Sequence, residues 1–173
     1  VSHANARATA LGVSPGTRAA DAAHAMLEAP PGVAASAPLV DRRPRVVAET
    51  AAGRVVLLSS MSFAGPEHRR DVLCAGSHAG RVNVKCLLEV RPRGAVFNDG
   101  GIARDRSGVS GLPALDAIGV AAVAVGAMTA RIGDPASTWD EGIVSVVNET
   151  ARRAGVAPGR PARAAALLIL ERG

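Results

Sequence analysis

Three short apolar runs, Asp71 to Ala75, Gly94 to Asn98 and Val120 to Val125, are each followed by a glycine-rich polar stretch and then by a helix-length segment. That alternation constrains the fold more than any other feature, because strand, helix, strand, helix is the pattern of a parallel sheet with right-handed crossovers. The continuous apolar run at Val120 to Val125 suits a strand buried on both faces. Helices are expected over about Arg81 to Val90, with Val82, Cys86, Leu87 and Val90 on one side, and after a Ser110 cap, with Leu112, Leu115 and Ile118 on one stripe and Gly119 as the stop. A third is expected over about Thr138 to Ala154, where Thr138 and Glu141 make a capping box, Asp140 and Glu141 open the helix and Arg152 and Arg153 end it. Arg45 to Glu49 and Arg54 to Ser60 read as a hairpin at one edge. The fold class is therefore α/β, a three-layer Rossmann-like, mostly parallel sheet of about five strands with an N-terminal β-hairpin edge and an extra helical pair at the N-terminus.

The helical pair comes from an internal repeat. Residues 1–28 align without a gap on 144–171, sharing Val1/Val144, Ser2/Ser145, Asn5/Asn148, the Gly-Val-x-Pro-Gly runs at 12–16 and 155–159, and Leu27-Glu28/Leu170-Glu171. Both copies read as helix, Gly stop, Pro-Gly turn and second helix. Duplication makes residues 1–29 an appendage repeating 144–172; the alternative is two Ala-rich hairpins alike by composition. The proline-rich residues 30–44 read as a linker and 45–173 as the α/β domain.

Composition removes several function classes. Hydrophobic residues make up 48% and charged residues 20%, as in soluble globular chains, so disorder throughout is excluded. The net charge of +5 invites nucleic acid, but apart from Lys85 the basic residues are scattered arginines, and with 2% aromatics no stacking platform accompanies them. Cys74 and Cys86 lack metal-ligand spacing and read as reduced thiols rather than a disulfide or metal pair. No run reaches the length of a membrane span and no signal segment opens the chain, so a cytoplasmic location is expected, with neither membrane nor nucleic acid as partner and a homo-oligomer as an open possibility.

Ligands of such sheets bind beyond the carboxyl ends of the strands, which directs attention to residues 76–80, 98–108 and 126–134. In Gly76-Ser77-His78-Ala79-Gly80, the two glycines would let a ligand approach backbone N–H groups, Ser77 would be donor or nucleophile and His78 the acid-base; a capping Ser beside a solvated His is the rival reading. Asp99 would orient His78 or hold a substrate hydroxyl or amine, with Asn98 and Gly100 lining the ligand, against the rival that Asn-Asp-Gly-Gly is simply an Asx turn. Arg131, with Thr129 in the same loop, would hold a carboxylate or phosphate, unless Asp134 is its structural partner. Neither a dinucleotide nor a nucleoside triphosphate motif is present, and no cofactor or metal is called for.

Residues 72–159 resemble a group of small bacterial α/β proteins of no assigned activity. The resemblance rests on the GSHxG run at 76–80, Phe97-Asn98-Asp99-Gly100, Ala130-Arg131-Ile132-Gly133-Asp134 and Gly155-Val156-Ala157-Pro158-Gly159; it implies that these loops form a unit and implies no reaction. The expected function is a small-molecule enzyme, a hydrolase or lyase acting on a carboxylated or amide-containing metabolite. The alternatives are a non-catalytic binding module for an anionic metabolite and a structural subunit assembled through the end helices.

Overall fold

β-Branched and alanine-rich runs with no charge inside them have one stable solution in water, a central layer covered on both faces, and the computed structural model of the chain adopts it. It describes residues 1–33 and 41–173, which divide into two compact units, one on each side of the undescribed stretch. Residues 34–40 of the expected linker lie outside the described residues.

The larger unit is built on one six-stranded sheet: β1 (Arg45–Thr50), β2 (Gly53–Leu58), β3 (Val72–His78), β4 (Gly94–Asn98), β5 (Ala121–Val125) and β6 (Val144–Val147), ordered as they occur in the chain. The hairpin β1–β2 is antiparallel and forms one edge, β2 to β5 are parallel, and β6 returns antiparallel to β5 at the other edge. Side chains alternate between two cores, as a period of two requires. Val55, Leu57, Val72, Cys74, Val96, Val123 and Val125 face one side. There they meet Trp139 of α5 (Pro135–Asp140) and the inner residues of α7 (Ala162–Arg172). Val56, Leu58, Leu73, Ala95, Phe97, Ala122 and Ala124 face the other. They are covered by Val84 and Leu87 of α3 (Arg81–Val90) and Leu115 of α4 (Leu112–Asp116). Three layers result. Small residues let them approach closely: a Cβ on Gly94 would collide with the Ile169 side chain of α7.

The smaller unit holds α1 (Ala6–Ala10) and α2 (Ala19–Leu27), the expected helical pair.

Three local expectations are corrected. The helix expected over 138–154 is three elements: α5 ends at Asp140, β6 follows, and α6 (Glu149–Arg153) starts after an Asn148 cap. Gly142 and the β-branched Ile143, Val144, Val146 and Val147 override the charge pattern, and the real cap of α5 is Asp134 with Pro135 behind it. Ser110 does not cap α4; its Oγ accepts the N–H of Arg81 at 3.3 Å, at the start of α3. On α3 the buried stripe is Val84, Leu87 and Val90, whereas Val82 is 74% exposed and Lys85 is exposed. Both cysteines are free thiols, and no helix among the described residues is long and apolar enough to cross a membrane.

At the opposite end of the strands from the expected site, Arg54 donates to Asp71 from Nε at 3.0 Å and from Nη2 at 2.7 Å, and Asp71 is 2% exposed. This pair locks the start of β2 to the residue before β3. Arg54→Ala leaves a buried carboxylate without its guanidinium, so a loss of about 2–3 kcal/mol is expected as a lowered urea midpoint with unchanged slope.

Candidate functional site

β3 is longer than its apolar run and carries Gly76, Ser77 and His78 inside the strand. Alternation places Ser77 on the face of Leu73 and Ala75, and an irregularity in the β3–β4 register between Cys74 and His78 takes His78 out of that alternation. The Ser77 hydroxyl accepts the N–H of Met61 at 3.2 Å, while His78 turns toward α3 and the chain after β4. The Nδ1 of His78 accepts the N–H of Gly80 at 3.1 Å, which leaves its proton on Nε2 when the ring is neutral and presents that nitrogen as a donor. Gly80 is needed for this: a Cβ there would lie 2.7 Å from both Nδ1 and Cε1 of the ring.

At the end of β4 two buried polar side chains join the neighbouring loops. Asn98 donates from Nδ2 to the carbonyl of Ala130 at 3.2 Å and accepts the Gly100 N–H on Oδ1 at 2.9 Å. Asp99 receives three donors, the N–H groups of Gly101 (2.8 Å) and Ala127 (2.9 Å) on Oδ1 and the Ser145 hydroxyl (2.8 Å) on Oδ2. The Asx-turn reading of Asn-Asp-Gly-Gly is thus present in the geometry, and no hydrogen bond links Asp99 to His78 among the described residues.

The loops do converge. Gly133 donates to the Gly76 carbonyl at 2.9 Å, and the backbone of Gly133 and Asp134 lies so close that no Cβ fits on Gly76. Ala79 donates to the Asn98 carbonyl at 3.1 Å and Gly111 to the Ala79 carbonyl at 2.8 Å. Between them opens a cleft of about 440 Å³ lined by His78, Gly80, Arg81, Val82, Gly100, Ala103, Ser107, Gly108, Ser110 and Ile132. Its lining is mostly apolar, and Val82 and Ile132 are largely exposed at it. The chain forming one wall is strained: Ile102, Ala103, Asp105 and Arg106 have φ of 64°, 56°, 55° and 57°. Conformations of this kind cost about 1–3 kcal/mol each and concentrate at functional sites. A second cleft of about 430 Å³ touches the same loop through Asp105, Arg106 and Ser110.

Of the expected site residues, His78, Gly80 and Gly100 line the cleft, and Gly76, Asn98 and Asp99 build its support. Ser77 faces away from it. Arg131 lies outside it as well: its guanidinium pairs with Glu141 (Nη2 to Oε1, 2.7 Å; Nη1 to Oε2, 3.1 Å) and with Asp134 (Nε to Oδ2, 3.3 Å). Glu141 first, then Asp134, favour the charged guanidinium further. Thr129 closes its own turn, donating to the Gly126 carbonyl at 2.8 Å and accepting the Ile143 N–H at 3.0 Å. Arg81 escaped the sequence reading. Its signal was position: the first residue of the helix after the Gly-flanked His, with no acidic residue in that turn. No group of three or more His, Cys, Asp or Glu side chains suited to a metal ion occurs among the described residues.

Asp134 both fixes this rim and caps α5, accepting the N–H groups of Ala136 (3.0 Å) and Ser137 (3.1 Å). The Ser137 N–H, ahead of Arg131, holds its carboxyl below the usual aspartate range. Asp134→Ala is expected to cost about 1 kcal/mol at neutral pH. The carboxylate's contribution is complete above its unfolded-state pKa and vanishes as the pH falls through its lower folded-state value. Wild type and variant should therefore converge in thermal stability at acid pH. Comparison with models of protein families, with curated proteins and with solved structures finds no match to this chain.

Proposed function

We propose that the larger unit is a binding module for a small anionic metabolite, one with a carboxylate and a short apolar body, held in the cleft between His78, Arg81 and the loop over 100–110. The observation that carries this reading is the donor set. The Nε2 of His78 is the free nitrogen of the ring, and Arg81 has no carboxylate partner among the described residues, whereas Arg104 pairs with Asp105 and Arg131 with Asp134 and Glu141. Both line one cleft, with Val82 and Ile132 as its apolar lip. Two donors and a nonpolar wall match a carboxylate on a short carbon chain. The two free thiols and the absence of a stacking platform agree with a cytoplasmic protein that binds metabolites rather than nucleic acid.

A second reading, turnover of that metabolite by a hydrolase or lyase, draws on the strained residues 102–106 beside an imidazole. It requires His78 to move a proton without help from Ser77 or Asp99, whose polar atoms are engaged elsewhere.

A thermal-shift screen of small carboxylates and phosphates tests both. A cognate carboxylate at a hundred times its Kd should stabilise the unit by about 2.7 kcal/mol. His78→Ala and Arg81→Gln should each remove the shift while leaving the unliganded melting temperature within a few degrees. A shift that survives both variants places the ligand elsewhere and overturns the binding site. Product appearing during incubation with the bound compound, and lost in His78→Ala, selects turnover.

A further inference from the structure

The two ends of this chain carry the same hydrogen-bond pattern. Asn5 Oδ1 accepts the N–H of Ala8 at 2.9 Å, and Asn148 Oδ1 that of Ala151 at 2.9 Å. Val13 donates to Ala8, and Val156 to Ala151, both at 3.0 Å. Gly16 donates to Val1 at 2.9 Å, and Gly159 to Val144 at 2.8 Å. The amino group of Val1 donates to Thr17 at 2.7 Å, and the amide of Val144 to Arg160 at 2.8 Å. The glycines at the two turns share positive φ, 83° and 94° in one segment and 92° and 86° in the other. Every equivalence has the same offset of 143 residues, so this is one fold drawn twice rather than two Ala-rich hairpins.

What the C-terminal copy does is plain. It closes the sheet: β6 pairs with β5, and α7 buries Ala162, Ala165, Ala166, Ile169 and Leu170. Two side chains dock it. Ser145 donates to Asp99 Oδ2 (2.8 Å) and to the Ala124 carbonyl (3.2 Å). Asn148 accepts the Ala122 N–H (3.0 Å) and donates to the Val120 carbonyl (2.8 Å).

The N-terminal copy keeps the two docking side chains and the buried helix positions, while Val146 and Val147 of β6 are replaced by His3 and Ala4. The five buried positions of α7 correspond to Ala19, Ala22, Ala23, Met26 and Leu27, each apolar. Met26 is 47% exposed and Leu27 79% exposed, while Ile169 and Leu170 are fully buried. Ser145 and Asn148 correspond to Ser2 and Asn5. Among the described residues Ser2 meets only His3 Nδ1, at 3.3 Å, and the side chain of Asn5 only caps α1.

We infer that residues 1–28 are a second sheet-closing segment, whose partner is the sheet of a second copy of this domain with its own closing segment displaced. Among the described residues the one sheet is already closed by the segment at 144–171, so residues 1–28 fit another sheet of the same construction. There Met26 would lie over the glycine equivalent to Gly94, where Ile169 now sits, and Ser2 would reach the carboxylate equivalent to Asp99. This is segment exchange between like domains, in which the docking face is already formed before association.

A mixing experiment tests it with full-length chains. The acceptor carries Ile169→Asp, to displace its own α7, and Met26→Asp, to disable its own surplus segment. The donor is the wild-type chain. The expected result is a complex with one of each chain by light scattering, and a rise of roughly 10 °C in the acceptor's melting temperature. If the acceptor alone does not fold, regained circular dichroism on adding donor is the readout. A donor with Met26→Asp, whose own melting temperature should match the wild type, should give neither effect. No complex, no gain of structure in the acceptor, or equal effects from both donors overturns the inference.

Discussion

A single buried carboxylate at the end of the central strand holds the loops at the carboxyl ends of the strands together. Asp99 accepts from the loop after its own strand through Gly101, from the loop after β5 through Ala127, and from β6 through Ser145. A carboxylate at 5% exposure is costly unless its lone pairs are filled, and here three donors from three segments fill them. The consequence is geometric: those segments cannot move independently without uncovering a charge. Asn98 extends the clamp to Ala130, and the contact of Gly133 with Gly76 completes a ring of loops around the carboxyl ends of β3, β4 and β5.

Topology explains why the cleft is where it is. In doubly wound sheets a reversal of strand order opens a crevice between neighbouring strands. This sheet runs from β1 to β6 without reversal, so the crossovers α3 and α4 lie on one face and no such crevice exists. The cleft is instead formed by the chain between β4 and α4, which bends through four left-handed non-glycine residues before Gly108 packs against Asp99. Strain in that wall is tolerated because Gly108 donates to Ile102, and because Ser110 reaches α3. The proposed binding site rests on a loop that the clamp fixes, rather than on the sheet itself.

Much of the layer was legible in the sequence, and the reason is periodicity. Strands β3, β4 and β5 are bounded by charge and glycine, and α3 is bounded by glycine and an Arg-Pro exit, so local signals and tertiary structure agree. The segment 138–154 misled because acidic residues, a capping pair and terminal arginines satisfied the helix rules together. The deciding information was steric and non-local: a Cβ on Gly142 would meet the Thr138 carbonyl and Val125, and the β-branched residues behind it complete the sheet at β5. Site residues were harder. Residue type singled out Ser77 and Arg131, but strand alternation turned Ser77 toward Met61, and Glu141, ten residues away, took the guanidinium of Arg131. Neither partner is visible from spacing alone.

The end segments show what a repeat signal can and cannot say. Sequence identity at Ser2/Ser145 and Asn5/Asn148 identifies equivalent positions, but only the sheet shows that in the C-terminal copy these two side chains contact β5 and the Asp99 clamp. A capping Asn needs one acceptor for its helix; Asn148 spends its amide on the edge of the sheet as well. A capping role alone would be met by Ser, Thr or Asp, so an amide at position 5 matches the second task better than the first. The same clamp that orders the cleft is therefore the point at which the closing segment attaches, and exchange of that segment would act on the proposed ligand site through Asp99.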